Sequence, residues 1–193
     1  MGTTRLHITQ AKPVQIVVSN TYQEFDIPEG ESHFHFSSSV TSNDQIETTF
    51  VFHLRNPSSR FLLTGIITAK GESVPFLKTT VVHHAPDTQA ETIIRTIAHD
   101  SAHPKYEGTI KILPQSQRVE SYLNHHTLLL GDRSKNWSVP CLEIEADQVK
   151  CSHAATTQTI TELDLFYLRS RGIPEKIART MFIEAFISDI ALT

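Results

Sequence analysis

Eleven histidines are the compositional excess of this chain, and they fall into groups whose spacing bears on chemistry. His33 and His35 stand two residues apart. On a strand, alternate residues share a face, so these two imidazoles could hold one metal ion. The alternative is a pair of solvent-facing strand histidines. His83-His84 and His125-His126 are adjacent pairs. Neighbours on a strand point to opposite faces, so neither pair can chelate from one side. Each is expected to send one ring to solvent and the other to a core margin. The stretch Lys150-Cys151-Ser152-His153 puts a thiol and an imidazole on one face of a strand. Together they suit iron–sulfur chemistry or zinc. They supply two ligands, so a complete site needs more from a partner chain or a second copy. A buried cysteine acting as a small hydrophobe is the competing reading.

Other chemistries have no support. The chain carries no His-Glu-x-x-His, no Cys-x-x-Cys and no Gly-x-Ser-x-Gly elbow. Seven glycines leave little for a phosphate-cradling loop. The 17 basic residues are scattered and the net charge is −4, which argues against a nucleic-acid footprint. Two cysteines are too few for a disulfide scaffold, and the N-terminus lacks an apolar signal region. A cytoplasmic setting is the expectation. No apolar run approaches the length of a membrane span.

The elements that must position these residues divide the chain in two. Residues 1–158 read as strand after strand. Alternation is plain at His33–Phe36, Thr109–Ile112 and Leu142–Glu145, with further strands at Thr92–Ile97 and Thr127–Leu130. Turn signals at Pro86-Asp87, His103-Pro104, Pro114-Gln115, Gly131-Asp132 and Ala146-Asp147 punctuate them. Almost none is a hairpin dipeptide. Strands without hairpins must pair elsewhere, as in a solenoid whose strands stack on their equivalents in the next coil; a jelly roll fits the same pattern. Residues 159–193 change to helix. Thr161 and Asp164 form a capping box, with Leu163, Phe166 and Tyr167 on one face. Gly172 stops this helix and Pro174 opens a second, with Ile177, Ala178, Met181, Phe182, Ala185 and Phe186 along one side. Those faces either close the β core or dock another protein.

The run Pro140–Thr157, with Lys150-Cys151-Ser152-His153 at its centre, closely resembles the C-terminal core of the SufB/SufD family of iron–sulfur cluster assembly scaffolds. The likeness continues through Leu165–Ile173 to Ala185-Phe186, and upstream through Tyr106–Ile110 and Leu128–Asp132 to about residue 83. Residues 1–80 show only a compatible strand pattern. The resemblance implies a right-handed parallel β-helix followed by two C-terminal α-helices. It implies pairing with a SufB-like chain through the β-helices, and docking of a SufC-like ABC ATPase on the helices. Phe166, Tyr167, Arg169, Arg171, Met181, Phe182 and Phe186 are the docking candidates.

Within that family the chain looks closer to SufD, in a short form. The interface histidine falls on His153 and its neighbouring cysteine on Cys151. These are the candidates for a transient iron–sulfur cluster, or iron, at a subunit interface. The SufB-type cysteine falls on Ser134 and the SufB-type glutamate on Ala154, so neither role is available here. Cys141 matches no ligand position and would share a face with Glu143 and Glu145. The expected role is a non-catalytic assembly scaffold. A self-associating homologue without a cluster role is the first alternative. A cupin-type metal protein using His33 and His35 is the second, although the rest of a cupin motif is missing.

Overall fold

The computed structural model describes residues 4–7, 20–41 and 46–191. In chain order the strands are β1 (Thr4–His7), β2 (Thr21–Ile27), β3 (Glu31–Val40), β4 (Glu47–Leu54), β5 (Arg60–Ala69) and β6 (Phe76–His83). Then come β7 (Gln89–Ala98), β8 (Lys105–Ile112), β9 (Val119–Leu129), β10 (Trp137–Ile144) and β11 (Val149–Thr159), followed by helices α1 (Glu162–Ser170) and α2 (Glu175–Ala191). From β2 onward each strand pairs in parallel with its equivalent one coil away and not with the strand that follows it in sequence, while β1 pairs in parallel with β2. One sheet runs β1-β2-β4-β6-β8-β10 and the other β11-β9-β7-β5-β3. This is a β-solenoid, and it explains the missing hairpin turns: parallel partners cannot be joined by a two-residue loop.

The coil length is written in the corners. Pro28, Pro57 and Pro86 occupy equivalent bends, and side-chain bonds between stacked coils join residues 29 apart, as from Arg60 to Glu31 and Arg55 to Asp26. Each of these corners turns through a left-handed residue, Gly30 (φ 90°), Ser58 (60°) and Asp87 (61°), and the next one does so at Arg118 (60°). Stacked corners are bonded to one another, Ser58 N–H donating to the Pro86 carbonyl and Asp87 N–H to that of Gln117.

The inside of the solenoid changes along its length. The early coils are filled by Phe25, Phe34, Phe36, Phe50, Phe52 and Phe61, with ring centroids 4.9 to 6.4 Å apart. One glycine is required here: a Cβ on Gly65 would overlap the Phe36 ring. Later coils replace phenylalanine with aliphatic side chains, among them Leu77, Val81, Ile94, Ile110 and Leu123, interspersed with bonded polar groups. His83 lies between the Thr88 and Ser121 hydroxyls at 2.7 and 3.1 Å. His125 lies between Thr96 and Ser138 at 3.0 and 2.7 Å, its ring 4.4 Å from that of Tyr106. Alternation correctly separates the faces of His83-His84 and His125-His126, but the inner ring of each pair is not at a core margin. Both are fully buried. Hydroxyls on neighbouring coils satisfy their nitrogens, which removes the main cost of burying an imidazole.

The helices begin where the sequence places them. Thr161 caps α1, with the reciprocal bonds to Asp164 that define a capping box. Gly172 takes φ 81° at the end of α1. Helix α2 packs on α1 and touches β5 and β7, where the Arg95 guanidinium lies over the Phe186 ring at 5.7 Å. Among the described residues, no helix is long and apolar enough to cross a membrane.

Candidate functional site

The solenoid ends at β10 and β11, the edge strands of the two sheets, each paired on one side only. Cys151 pairs with Ser121 and His153 with Leu123, both core residues of β9. Cys151 and His153 therefore share the inward row, as the spacing predicts. No further coil covers that row among the described residues, and His153, Ala155 and Thr157 are exposed although their equivalents one coil earlier are buried. Asn136 donates to the Thr157 hydroxyl at 3.2 Å, joining the rim of the two sheets.

The two candidate ligands differ in readiness. His153 is open to solvent. Cys151 is half-buried and packs against the core beside Leu142 and Val149. That burial pushes its thiol up to about 11, so near pH 7 it is protonated and is no thiolate until a metal or a base takes the proton. Ala154 points to the outer face and is exposed. Ser134, where the resemblance puts the SufB-type cysteine, closes a corner by donating to the Gly131 carbonyl at 2.7 Å. Cys141 stands on the outer face of β10 opposite Thr109, on the same side as Glu143, which bonds Lys111 at 2.9 Å.

The sequence alone did not mark one part of this end. Trp137, Val139 and Ile144 are large apolar residues of β10 that remain 39 to 45 % exposed. The available signal was their place in the last strand of one sheet, where no later strand follows to cover them.

The helical candidates form a second surface. Helices α1 and α2 bury Leu165, Ala178 and Ile190, but leave Leu163, Phe166, Tyr167, Ile177 and Met181 between 42 and 75 % exposed. A groove of about 640 Å³ runs between them, lined by Leu163, Tyr167, Leu168, Met181, Phe182 and Ala185. Arg171 lies over the Tyr167 ring at 4.7 Å, and Arg169 is 3.8 Å from Glu175. Phe186 is the exception among the candidates, since it faces Arg95 of the solenoid. Closing the β core accounts for the far end of α2 and not for the exposed groove.

His33 and His35 lie on the outer face of β3 and are half-buried. Their Nε2 and Nδ1 atoms both approach the Thr64 hydroxyl at 2.8 Å. Among the described residues no group of three or more His, Cys, Asp or Glu is arranged to hold a metal ion.

Comparison with known proteins gives a consistent picture. The SUF system FeS cluster assembly SufBD core domain model matches residues 8–186, beginning well upstream of residue 83. The Escherichia coli (strain K12) iron-sulfur cluster assembly protein SufD is 33 % identical over 113 residues, covering 58 % of this chain and 27 % of that protein. An iron-sulfur cluster assembly SufBD family protein of Synechocystis is 30 % identical over 112 residues, covering 58 % of this chain and 23 % of the relative. One from Staphylococcus saprophyticus is 30 % identical over 107 residues, covering 55 % and 23 %. The chain thus spans about a quarter of the length of these relatives.

Proposed function

From the premise that this chain belongs to the SufBD core family of iron–sulfur cluster assembly, we propose that it is a non-catalytic, SufD-like scaffold subunit that pairs with a SufB-like chain through the open end of its solenoid. The observation that carries this reading is the uncovered last coil, with the inward row of Cys151, His153 and Ala155 presented to solvent. The edge strands of the two sheets, β10 and β11, offer unpaired backbone groups, and apolar Trp137, Val139 and Ile144 lie on β10. A partner's terminal coil would satisfy the backbone and bury the apolar rim.

The nascent cluster, or its iron, is the cargo of that junction. His153 supplies an accessible imidazole. Cys151 supplies a thiolate once a bound metal displaces its proton. Two donors are fewer than the four that such clusters take, so the partner contributes the remainder. The groove between α1 and α2 is the docking surface for a SufC-like ABC ATPase, with Tyr167, Met181 and Phe182 in it and Phe166, Arg169 and Arg171 around it. Phe186 holds α2 on the solenoid rather than meeting the ATPase. The cytoplasm is the compartment this role implies.

Anaerobic reconstitution of the complex with His153→Ala tests the cluster role. A lowered cluster yield with the complex intact is expected, and an unchanged yield refutes it. A second reading rests on the same open end, because an edge that accepts a SufB-like coil can accept a second copy of this chain. A homodimer that persists in the presence of the SufB-like protein would favour that reading.

A further inference from the structure

The outer face of the β4 sheet carries a chain of polar side chains to which the assembly role gives no task. Tyr22 of β2 donates its hydroxyl to Glu24 Oε1 at 2.7 Å. The other oxygen of that carboxylate lies 3.8 Å from His53 Nε2, on β4. His53 Nδ1 in turn meets His84 Nε2 at 2.9 Å, just past the end of β6. Three successive coils thus deliver a fixed carboxylate, an imidazole and a second imidazole in a line. The His53 side chain is 13 % exposed and that of Glu24 26 %, so the arrangement is partly shielded but reachable.

An imidazole that ligates a metal through one nitrogen commonly turns its other N–H to a carboxylate, which fixes the tautomer and raises ligand basicity. Glu24 lies behind His53 at 3.8 Å, longer than a hydrogen bond, and its carboxylate would have to close on Nε2 to play that part. With the proton of His53 on Nε2, its Nδ1 lone pair faces His84. Arg55 is bonded to Asp26 at 2.7 Å, and the carboxylates of Glu24 and Asp26 outnumber that one guanidinium around the pair.

We propose that His53 and His84 are the two protein ligands of a surface site for a divalent first-row transition ion, oriented by Glu24, with solvent completing the coordination. At metal–nitrogen bonds of about 2.0–2.1 Å, two imidazole nitrogens around a tetrahedral or tetragonal ion lie about 3 Å apart or slightly more. The observed 2.9 Å between the two nitrogens is at the lower end of that range. Binding replaces the hydrogen bond between the rings. The proton on His84 Nε2 moves to its Nδ1, the two nitrogens each give a lone pair to the ion, and no net proton is released. Imidazole ligands and the Irving–Williams order make Cu²⁺ the tightest first-row divalent ion, with Zn²⁺ next among those commonly available. This inference does not depend on the assembly role, since it lies on a different face from the open end.

The test uses the full chain carrying Cys151→Ala and His153→Ala, so that the open end contributes no ligand. Titration with CuCl₂ and with ZnCl₂ by calorimetry is paired with electron paramagnetic resonance of the Cu²⁺ form. The expected result is one ion per chain and a signal split by two nitrogens. Either His53→Ala or His84→Ala should abolish this site, while His33→Ala leaves it intact. Glu24→Gln should weaken affinity by about tenfold or more, as loss of a carboxylate behind a ligating histidine does. Thermal melts establish that the variants are folded. Absence of saturable binding, or binding unchanged by His84→Ala, would reduce the pair to a hydrogen bond between coils and overturn the proposal.

Discussion

The first coils and the last coils of this solenoid solve the same packing problem with opposite chemistry. Between β2 and β5 the interior is a stack of phenylalanines in mutual contact. Between β6 and β11 it is threaded by His83, Tyr106 and His125, each bonded to a hydroxyl on a neighbouring strand or coil. An aromatic stack asks only for burial and good contact. A polar thread asks for a partner at every nitrogen and oxygen, and so fixes register more sharply. It also tolerates a neighbouring opening to solvent, which a phenylalanine stack would not. The polar coils are the ones next to the open end, where His125 bonds Ser138 of the last coil. The apolar half anchors the fold, and the polar half carries it up to a surface that remains to be covered.

The largest effect should come from the apolar half. Phe52 is fully buried and touches the rings of Phe25, Phe34, Phe50 and Phe61. Phe52→Ala is expected to cost about 3–5 kcal/mol in chemical denaturation. A cost below about 1 kcal/mol would show that the stack is not what holds the early coils.

The polar half should reveal itself by pH. Burial lowers His83 to about 4 and His125 to about 3. Both are depressed below the unfolded value near 6.5, so the unfolded chain takes up protons first. Their stabilisation is complete above about pH 6.5 and is lost as pH falls toward 4 and 3. Between pH 7 and 5 each histidine should account for about 2 kcal/mol of lost stability by proton linkage. His125→Gln should reduce the measured pH dependence by about that amount, read from urea midpoints at the two pH values. A flat profile between pH 7 and 5 would break the contrast between the halves.

Much of this was legible in the residues. The absence of hairpin dipeptides pointed to parallel coils, and Thr161 with Asp164 marked the first helix. The even spacing of Pro28, Pro57 and Pro86 gives the length of the early coils, because a rigid φ suits the same bend in each, while later coils run slightly longer. It is easily overlooked because little else in those corners repeats. What could not be read was depth. Period-two alternation says that His83 and His84 face opposite ways, but not that the inner slot holds Thr88 and Ser121. Those residues are 5 and 38 positions away. The protonated state of Cys151 was hidden for the same reason, since it follows from how Leu142 and Val149 pack beside it.

The smallest effects on stability should fall on the surfaces left uncovered. Leu163 and Met181 line the helical groove and are 75 and 42 % exposed. Leu163→Asp with Met181→Asp should change folding stability by no more than about 0.5 kcal/mol per site, the usual range for surface substitutions. The same pair should abolish capture of the SufC-like ATPase in a pull-down. Retained capture would move the docking surface elsewhere.

The pairing claim is tested most directly by native mass spectrometry of the tagged chain, co-expressed anaerobically with the SufB-like and SufC-like proteins of its own source. Wild type is compared with Ala155→Glu. Ala155 is exposed on the inward row of β11, so the glutamate costs the isolated fold little but would be buried unpaired in an end-to-end junction. The account predicts a stoichiometric complex of wild type with the SufB-like chain, and its loss in Ala155→Glu with the melting temperature unchanged. Recovery of the wild-type chain alone or as a homodimer, or a complex indifferent to the glutamate, would contradict it.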